Sequence, residues 1–409
     1  MKRTLRSPLH NMGQEQKIGL FGGTFNPPHI GHLRAAQACV QRLGLDRLLL
    51  VPARLPPHKT LPADSATPRQ RLFMAELMAE QIPRSQVSDI ELDRQGPSYT
   101  CDTVEALAGR YPGANLWLIL GTDMFLTFHQ WRQPQRIAAH CRLAVVARTP
   151  DGRRELEAQA AFLARDIGAR VDIIDCPVTV MSSTQVRGGL PQGTGEENLP
   201  APVAQYIRQR GLYGAARPGQ MDLPWLRERV RRCMTAKRFR HTLGVEETAA
   251  RLARRYGEEE YQARVAALLH DVTKRLDLEE QLKLCRHYGI ILDYGENAVP
   301  LPHADTAAAV AKDVFGVSEA VAQAIAFHTT GAPGMSRLDQ IVYLADCIEP
   351  NRDYPGVEEL RQACEHGLRQ AMLYALRQTM AHVRQEGRTP NRRSQQALED
   401  LQTEKVEEI

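Results

Sequence analysis

The rhythm of residues 17–213 sets the tightest limit on what this chain can fold into. Five short, near-continuous apolar runs occur there: KIGLF (17–21), RLLLVPA (47–53), ANLWLILG (114–121), CRLAVVAR (141–148) and VDIID (171–175). Between them lie stretches that read as helices over 32–43, 68–81, 100–110 and 154–167. Strands apolar along their whole length are buried on both faces, as parallel strands between helical layers are. The alternation predicts a doubly wound α/β sheet, whose ligands gather at the carboxyl ends of the strands. The segment GGTFNPPHIGH (22–32) falls at such an end, after the first run.

At 409 residues the chain is too long for one ordinary domain. The strand signals stop near YGAARPGQMDLP (213–224), which is rich in glycine and proline. We expect a disordered extension over 1–16, an α/β domain over 17–213, a linker over 214–223, an all-α domain over 224–386 and a frayed polar tail over 387–409. In HTLGVEETAARLARRYG, Val245, Ala249, Leu252 and Tyr256 keep a helical period and Gly257 suits a C-terminal cap. Met12 is a second candidate start.

The eight cysteines include no CxxC pair, and no apolar run approaches the roughly 20 residues that span a bilayer. The N-terminus is basic but lacks the apolar core of a secretory signal. These features predict a reduced, cytoplasmic protein with no membrane partner. A net charge of +4 is small for this length and calls for no nucleic acid. The basic stretch RERVRRCMTAKRFR (227–240) has one aromatic, Phe239, and reads as a solvated helix face. An oligomer is compatible with the sequence.

Gly22 and Gly23 let the backbone turn tightly and approach a ligand with no Cβ in the way. The helix start that follows offers orphan N–H groups and a positive dipole end, which favour phosphate. His29 and His32 add side-chain donors at the same place. Two histidines near a helix start are by themselves as well explained by capping or packing. Placed after a strand and a glycine pair, they predict a phosphate site.

GGTFNPPHIGH resembles the GGxFxPxHxGH signature of the nucleotidyltransferase superfamily. PPHK (56–59), PSYTCDT (97–103), GTDMFLTFHQW (121–131), MSSTQVRGGL (181–190) and VAQYIRQRGLY (203–213) stand in the order and spacing of bacterial nicotinate-nucleotide adenylyltransferases. The resemblance implies AMP transfer from ATP to nicotinate mononucleotide, giving nicotinate adenine dinucleotide and pyrophosphate. Such transfer rests on positioning and charge neutralisation. The implied ATP site is Gly22, Gly23, Thr24, Phe25, His29, His32, Ser183, Thr184 and Arg187. His29, His32, Lys59 and Arg187 are the implied catalytic set, with Mg²⁺ carried by the phosphates. Nicotinate mononucleotide is expected against Tyr99, Thr100, Asp123 and Trp131. From spacing alone Trp131 equally fits a core or rim aromatic, and SST (182–184) fits a plain helix cap. Asn26 departs from the family's common Asp, keeping the hydrogen-bonding shape and losing a charge. A different nucleotide-like acceptor is the alternative.

In the second half His241, His270, Asp271, His303, His328 and Asp346 accompany apolar helical stretches. A buried unpaired Asp is costly, so this set of ligand-type side chains predicts a metal that neutralises them. Any one of these histidines alone reads as a satisfied core residue. HTLGV, LLHDVTK, HTTG and LADCIEPNRDYPGVEEL together resemble HD-domain metal phosphohydrolases. They are specifically similar to a bacterial branch that splits diadenosine tetraphosphate symmetrically into two ADP. The resemblance implies one metal on His241, His270, Asp271 and Asp346, and a second on His303 and His328 with Asp271 bridging. It implies a metal-activated water, with Asp271 in the catalytic set. Imidazole and carboxylate ligands without thiolate suit Fe, Mn, Zn or Co, and the resemblance points to iron. Lys274 and Arg352 are candidate phosphate contacts, or else solvated surface charges. Ala304 stands where Gly is commoner after the histidine. A nucleotide-sensing regulatory module, or hydrolysis of another phosphoester, is the alternative.

Overall fold

The apolar runs form one parallel sheet. Its strands are β1 (Lys17–Gly23), β2 (Arg47–Pro52), β3 (Ser85–Val87), β4 (Asn115–Gly121), β5 (Arg142–Ala147) and β6 (Val171–Asp175). They stand in the order β3-β2-β1-β4-β5-β6, so the order reverses between β1 and β4. Leu20 of β1 pairs in register with Leu49 of β2 and Leu118 of β4, and all three are buried. This is the doubly wound sheet that the alternation predicts. The computed structural model describes residues 16–56, 60–94, 96–147, 152–176, 181–292 and 302–403. Residues 1–15 of the expected extension, Lys59, and 404–409 of the expected tail lie outside the described residues.

Helices Ile30–Leu43, Pro68–Ala79, Thr100–Arg110 and Arg153–Ile167 occupy the places read as helical. The first begins two residues earlier than expected because His29 serves as its N-cap. β3 is an addition to the five strands expected. It is a short edge strand, Ser-Gln-Val, half-buried throughout, and so presents no apolar run.

The chain divides into two compact units between Gln220 and Met221. The second unit is helical throughout its described length. Its long helix Ala236–Tyr256 packs most extensively against Glu260–Leu269 and Arg337–Ile348. Val245, Ala249 and Leu252 are fully buried on that helix, and Gly257 caps it at φ 68°.

Two expectations need correction in this unit, one of them in part. The basic stretch 227–240 is a solvated face only in part, with Arg231, Arg232, Lys237 and Arg240 exposed. It is split between helices Leu223–Cys233 and Ala236–Tyr256. Arg227 makes a two-pronged pair with the buried Glu246 (2.8 and 2.6 Å), Arg229 is buried, and Arg238 reaches Asp271. The expected frayed tail contains a helix, Arg392–Thr403, with Ser394, Ala397 and Leu401 buried. Two apolar residues four positions apart were too sparse a signal, yet they fall on one helical face.

One cation organises the loops of the first unit. Arg71 on Pro68–Ala79 is fully buried and donates to the backbone oxygens of Thr24 (2.8 Å), Ala53 (2.5 Å) and Arg54 (2.9 Å). Burial pushes its guanidinium down to about 10, so it stays charged at neutral pH. Arg71→Met is expected to strand these carbonyls and to destabilise the unit by about 3 kcal/mol. Urea unfolding followed by the fluorescence of Trp117 and Trp131 measures that loss.

Candidate active sites

A cavity of about 380 Å³ lies where the strand order reverses, at the carboxyl ends of β1 and β4. Gly22, Gly23, Thr24, His29 and His32 line it, as do Thr100, Trp131 and, from β4, Leu118, Leu120 and Gly121. The structure thus brings five of the nine expected ATP-site residues and two of the four expected acceptor residues to one space. Phe25, Tyr99, Asp123, Ser183, Thr184 and Arg187 do not line its walls.

The sharp turn after β1 is made at Phe25 (φ 49°), not at the glycine pair, neither member of which has positive φ. The buried Phe25 ring stands edge-on to Phe21 and His32 and holds that conformation. A Cβ on Gly23 would meet the Phe25 ring at 3.2 Å, so Gly23 is needed for close approach. A Cβ on Gly22 would meet no atom within 4 Å, and Gly22 lines the cavity.

His29 and His32 close a reciprocal cap at the start of Ile30–Leu43. The His32 N–H donates to Nδ1 of His29 (3.3 Å), and the His29 N–H donates to Nδ1 of His32 (3.1 Å). The two rings lie 3.7 Å apart. Because each Nδ1 accepts, each neutral ring carries its proton on Nε2. Capping and cavity lining are therefore one arrangement. The cap fixes the tautomer, and the tautomer makes Nε2 a donor beside the positive end of the helix.

Ser183 and Arg187 act on the loop from the helix Ser183–Gly189. Ser183 Oγ donates to the oxygen of Pro27 (2.9 Å), and Arg187 donates to the oxygen of Asn26 (2.5 Å) and to Thr184 Oγ1 (3.2 Å). Ser182 is the N-cap of this helix. Asn26 is buried with both ends of its amide engaged. It donates to Ser65 Oγ (2.9 Å) and accepts from the Tyr213 hydroxyl (2.8 Å). Its amide therefore ties the loop to the end of the domain.

Sequence reasoning missed Glu91, Ser98 and Thr103, which also line the cavity. Arg94 donates to Thr103 Oγ1 (2.7 Å), and Thr103 donates to Glu91 Oε1 (2.7 Å). Burial pushes the Glu91 carboxyl up, although Thr103 and Arg94 oppose the shift. Trp131 packs against Phe128 at 5.3 Å and also lines the cavity, so it is at once a packing aromatic and a wall of the cavity. Tyr99 lies under the Arg132 guanidinium at 4.3 Å.

In the second unit, five helices deliver the ligand-type residues to one place. His241 comes from Ala236–Tyr256, His270 and Asp271 from the end of Glu260–Leu269, His303 from the start of His303–Val310, His328 from the end of Glu319–Phe327, and Asp346 from the last turn of Arg337–Ile348. His270 and His328 use the same device. Each is a helix C-cap, and its Nδ1 lies 2.6 Å from a carbonyl of the preceding turn, Ala267 or Ile325. An N–H must sit on that nitrogen, which leaves the Nε2 lone pair in the neutral ring.

Those lone pairs face carboxylate oxygens. Nε2 of His270 lies 3.3 Å from Asp271 Oδ2, and Nε2 of His328 lies 3.6 Å from Asp271 Oδ1. Nε2 of His241 lies 3.0 Å from Asp346 Oδ1. Among the described residues, His241 Nε2, His270 Nε2 and Asp271 Oδ1 are buried without a hydrogen-bond partner. Acceptors facing acceptors in a buried site require a cation between them. Two groups fit a metal, His241–His270–Asp346 and His270–Asp271–His328, each with its ligand atoms within 4.8 Å of one another. His270 is shared, whereas the expected arrangement shared Asp271.

The electrostatics agree. Burial opposes charge on Asp271 and Asp346, but the neighbouring imidazoles and cations outweigh it and hold both carboxyls well below their usual range. Burial likewise opposes charge on His270, and Asp271 with Asp346 outweighs it, raising the imidazole above its ordinary value. The site thus demands positive charge at His270 Nε2, which a proton or a metal supplies. His303 differs. Burial, then Lys274, push it down to about 3, and Lys274 Nζ lies 2.9 Å from its Nε2. Arg238, missed in the sequence, donates to Asp271 Oδ2 (2.9 Å), and Arg352 donates to Asp346 Oδ1 (2.6 Å).

Among the described residues no helix is long and apolar enough to cross a membrane. The cytidylyltransferase-like family model matches residues 20–189, and the HD domain model matches residues 238–351. A probable nicotinate-nucleotide adenylyltransferase of Neisseria meningitidis serogroup C is 38% identical over 202 residues, covering 48% of this chain and 98% of that protein. One from Pectobacterium atrosepticum is 39% identical over 207 residues, covering 47% and 96%. A crystal structure of a predicted HD superfamily hydrolase involved in NAD metabolism, from Clostridium acetobutylicum, is 36% identical, with a TM-score of 0.43, and covers 46% of this chain and all (100%) of that one. Through its first half the chain belongs to the nicotinate-nucleotide adenylyltransferase family, and it carries an HD domain in its second half.

Proposed function

We propose that the chain carries two active sites. The first transfers AMP from ATP to nicotinate mononucleotide; the second hydrolyses diadenosine tetraphosphate symmetrically to two ADP. The observation that supports the first reading most directly is the reciprocal cap of His29 and His32 on the cavity wall. Their Nε2–H groups, with the N-terminus of Ile30–Leu43, stabilise charge that develops on the phosphates. Gly22, Gly23 and Thr24 give the backbone room for ATP, with Mg²⁺ on the phosphates; Arg187 adds positive charge, and Lys59 is assigned to the catalytic set on the resemblance alone. Phe25 shapes the loop, and Ser183 and Thr184 open the helix that Arg187 rides on. Nicotinate mononucleotide lies against Thr100 and Trp131, with Tyr99 and Asp123 at the margin. Eight free cysteines support a reduced, cytoplasmic setting.

His29→Ala is expected to lower kcat for nicotinate adenine dinucleotide formation by about 10²–10³-fold. The lost cap costs only about 1 kcal/mol of stability. Coupled pyrophosphate release and a thermal melt measure the two. Activity within a factor of a few of the parent refutes the assigned role.

For the second site, the supporting observation is the set of buried lone pairs on His241, His270 and Asp271. His241, His270, Asp271, His328 and Asp346 would hold one or two transition-metal ions, iron on the strength of the resemblance, with His303 joining when Lys274 withdraws. A metal there supplies a Lewis acid that activates water and polarises a phosphate. Arg238 and Arg352 each spend part of their guanidinium on a carboxylate, and about a third of each side chain is exposed. With Lys274 they can hold and orient a polyphosphate. Five of the six ligand-type residues fall in the two candidate metal groups, which favours turnover over a sensor that only binds.

Full-length protein reconstituted anaerobically with Fe²⁺ or Mn²⁺ is expected to convert diadenosine tetraphosphate into two ADP, resolved by anion exchange. Asp271→Ala is expected to lose both metal and activity. AMP plus ATP as products would overturn the symmetrical cleavage, and no turnover at full metal load would overturn the substrate.

A further inference from the structure

His241 differs from His270 and His328 in that its Nδ1 faces a side chain rather than a carbonyl of its own helix. Glu349 Oε1 lies 3.0 Å from it, and both residues are buried. The other oxygen of Glu349, Oε2, accepts from the Asn351 backbone N–H (2.7 Å) and from Asn351 Nδ2 (2.8 Å). Both carboxylate oxygens are therefore committed, and the group cannot turn away from His241. Space for it comes from Gly244, one turn along the same helix. A Cβ there would lie 2.4 Å from Glu349 Oε2 and 3.3 Å from Asn351 Nδ2.

We propose that Glu349 is a positioning residue for the metal centre, holding His241 with its proton on Nδ1 so that Nε2 is left to the metal. This rests on the reading that the cluster binds a metal. A carboxylate on the far nitrogen of a ligating imidazole fixes its tautomer and orientation and raises its basicity. The device differs from that of His270 and His328, which lean on backbone carbonyls. His241 sits in mid-helix, where the carbonyls are already used by the helix, so only a side chain can serve it.

The logic of the neighbours makes Glu349→Gln informative. Asn351 presents two donors, so it takes the amide oxygen and turns the amide NH₂ toward His241. Nδ1 must then accept, and the proton moves to Nε2, the ligating atom. The fold loses no volume and no buried group.

The test uses full-length protein labelled with ¹⁵N at histidine, and Zn²⁺ as a diamagnetic probe. His241 is assigned by the signal missing in His241→Gln. We expect the parent to carry its His241 proton on Nδ1. We expect Glu349→Gln to bind Zn²⁺ about 10–100-fold more weakly in chelator competition, with an unchanged metal-free melting curve. Gly244→Ala should weaken Zn²⁺ binding in the same direction. A parent that binds Zn²⁺ with its His241 proton on Nε2, or a Gln variant that binds within twofold with Nδ1–H retained, overturns the proposal. If Glu349→Gln does not fold, the parent tautomer decides alone. A parent that binds no Zn²⁺ refutes the metal reading itself, a result distinct from the other two.

Discussion

Buried lone pairs that face one another organise the second half of this protein. His270 and His328 each spend Nδ1 on a backbone carbonyl, so neither can turn its other nitrogen into a donor without taking on charge. Asp271 sits between them with its carboxyl held ionised, and one of its oxygens has no donor among the described residues. Such a set is unfavourable in a water-poor interior unless a cation completes it. Arg238 and Arg352 stabilise the carboxylates from the outside, but they do not reach the imidazole nitrogens. A metal satisfies every member at once.

The two halves use opposite ends of helices for opposite charges. In the first, the cap histidines at the N-terminus of Ile30–Leu43 line the cavity, where helix N–H groups and a positive dipole end favour an anion. In the second, His270 and His328 sit at helix C-termini, where carbonyl dipoles favour a cation. In each case a histidine caps the helix and thereby fixes its own tautomer. In the proposed reading, N–H donors at a helix N-terminus would serve phosphate chemistry in the first half, and imidazole and carboxylate ligands for a metal in the second.

Much of this was legible in the sequence, for identifiable reasons. Strands buried on both faces announce themselves as unbroken apolar runs, and His29 and His32 sit close enough in sequence to be read as a unit. The HD residues stood out because acids and imidazoles at the ends of apolar helices are unusual. What was missed depends on distant returns of the chain. β3 is a polar edge strand with nothing apolar to display. Arg71 looks like any helix arginine until the oxygens of residues 24, 53 and 54 close around it. Arg238 was hidden in a basic run, and its partner Asp271 lies 33 residues away. Glu349 lies 108 residues from His241, and only the fold brings them together. The tight turn expected at Gly22 and Gly23 is made at Phe25 instead, because glycine is the usual occupant of such conformations and the packing that holds the Phe25 ring is not visible in the sequence.

The central claim is that the histidine–aspartate cluster is a metal centre, and anomalous X-ray diffraction tests it most directly. Crystals of the full chain grown with Fe²⁺ or Zn²⁺ and measured at the metal edge should show an ion about 2.0–2.2 Å from His270 Nε2, with a carboxylate oxygen of Asp271 or Asp346 completing the contact. A map with no anomalous peak there at saturating metal, and a proton shared between His270 and the carboxylates instead, would contradict it.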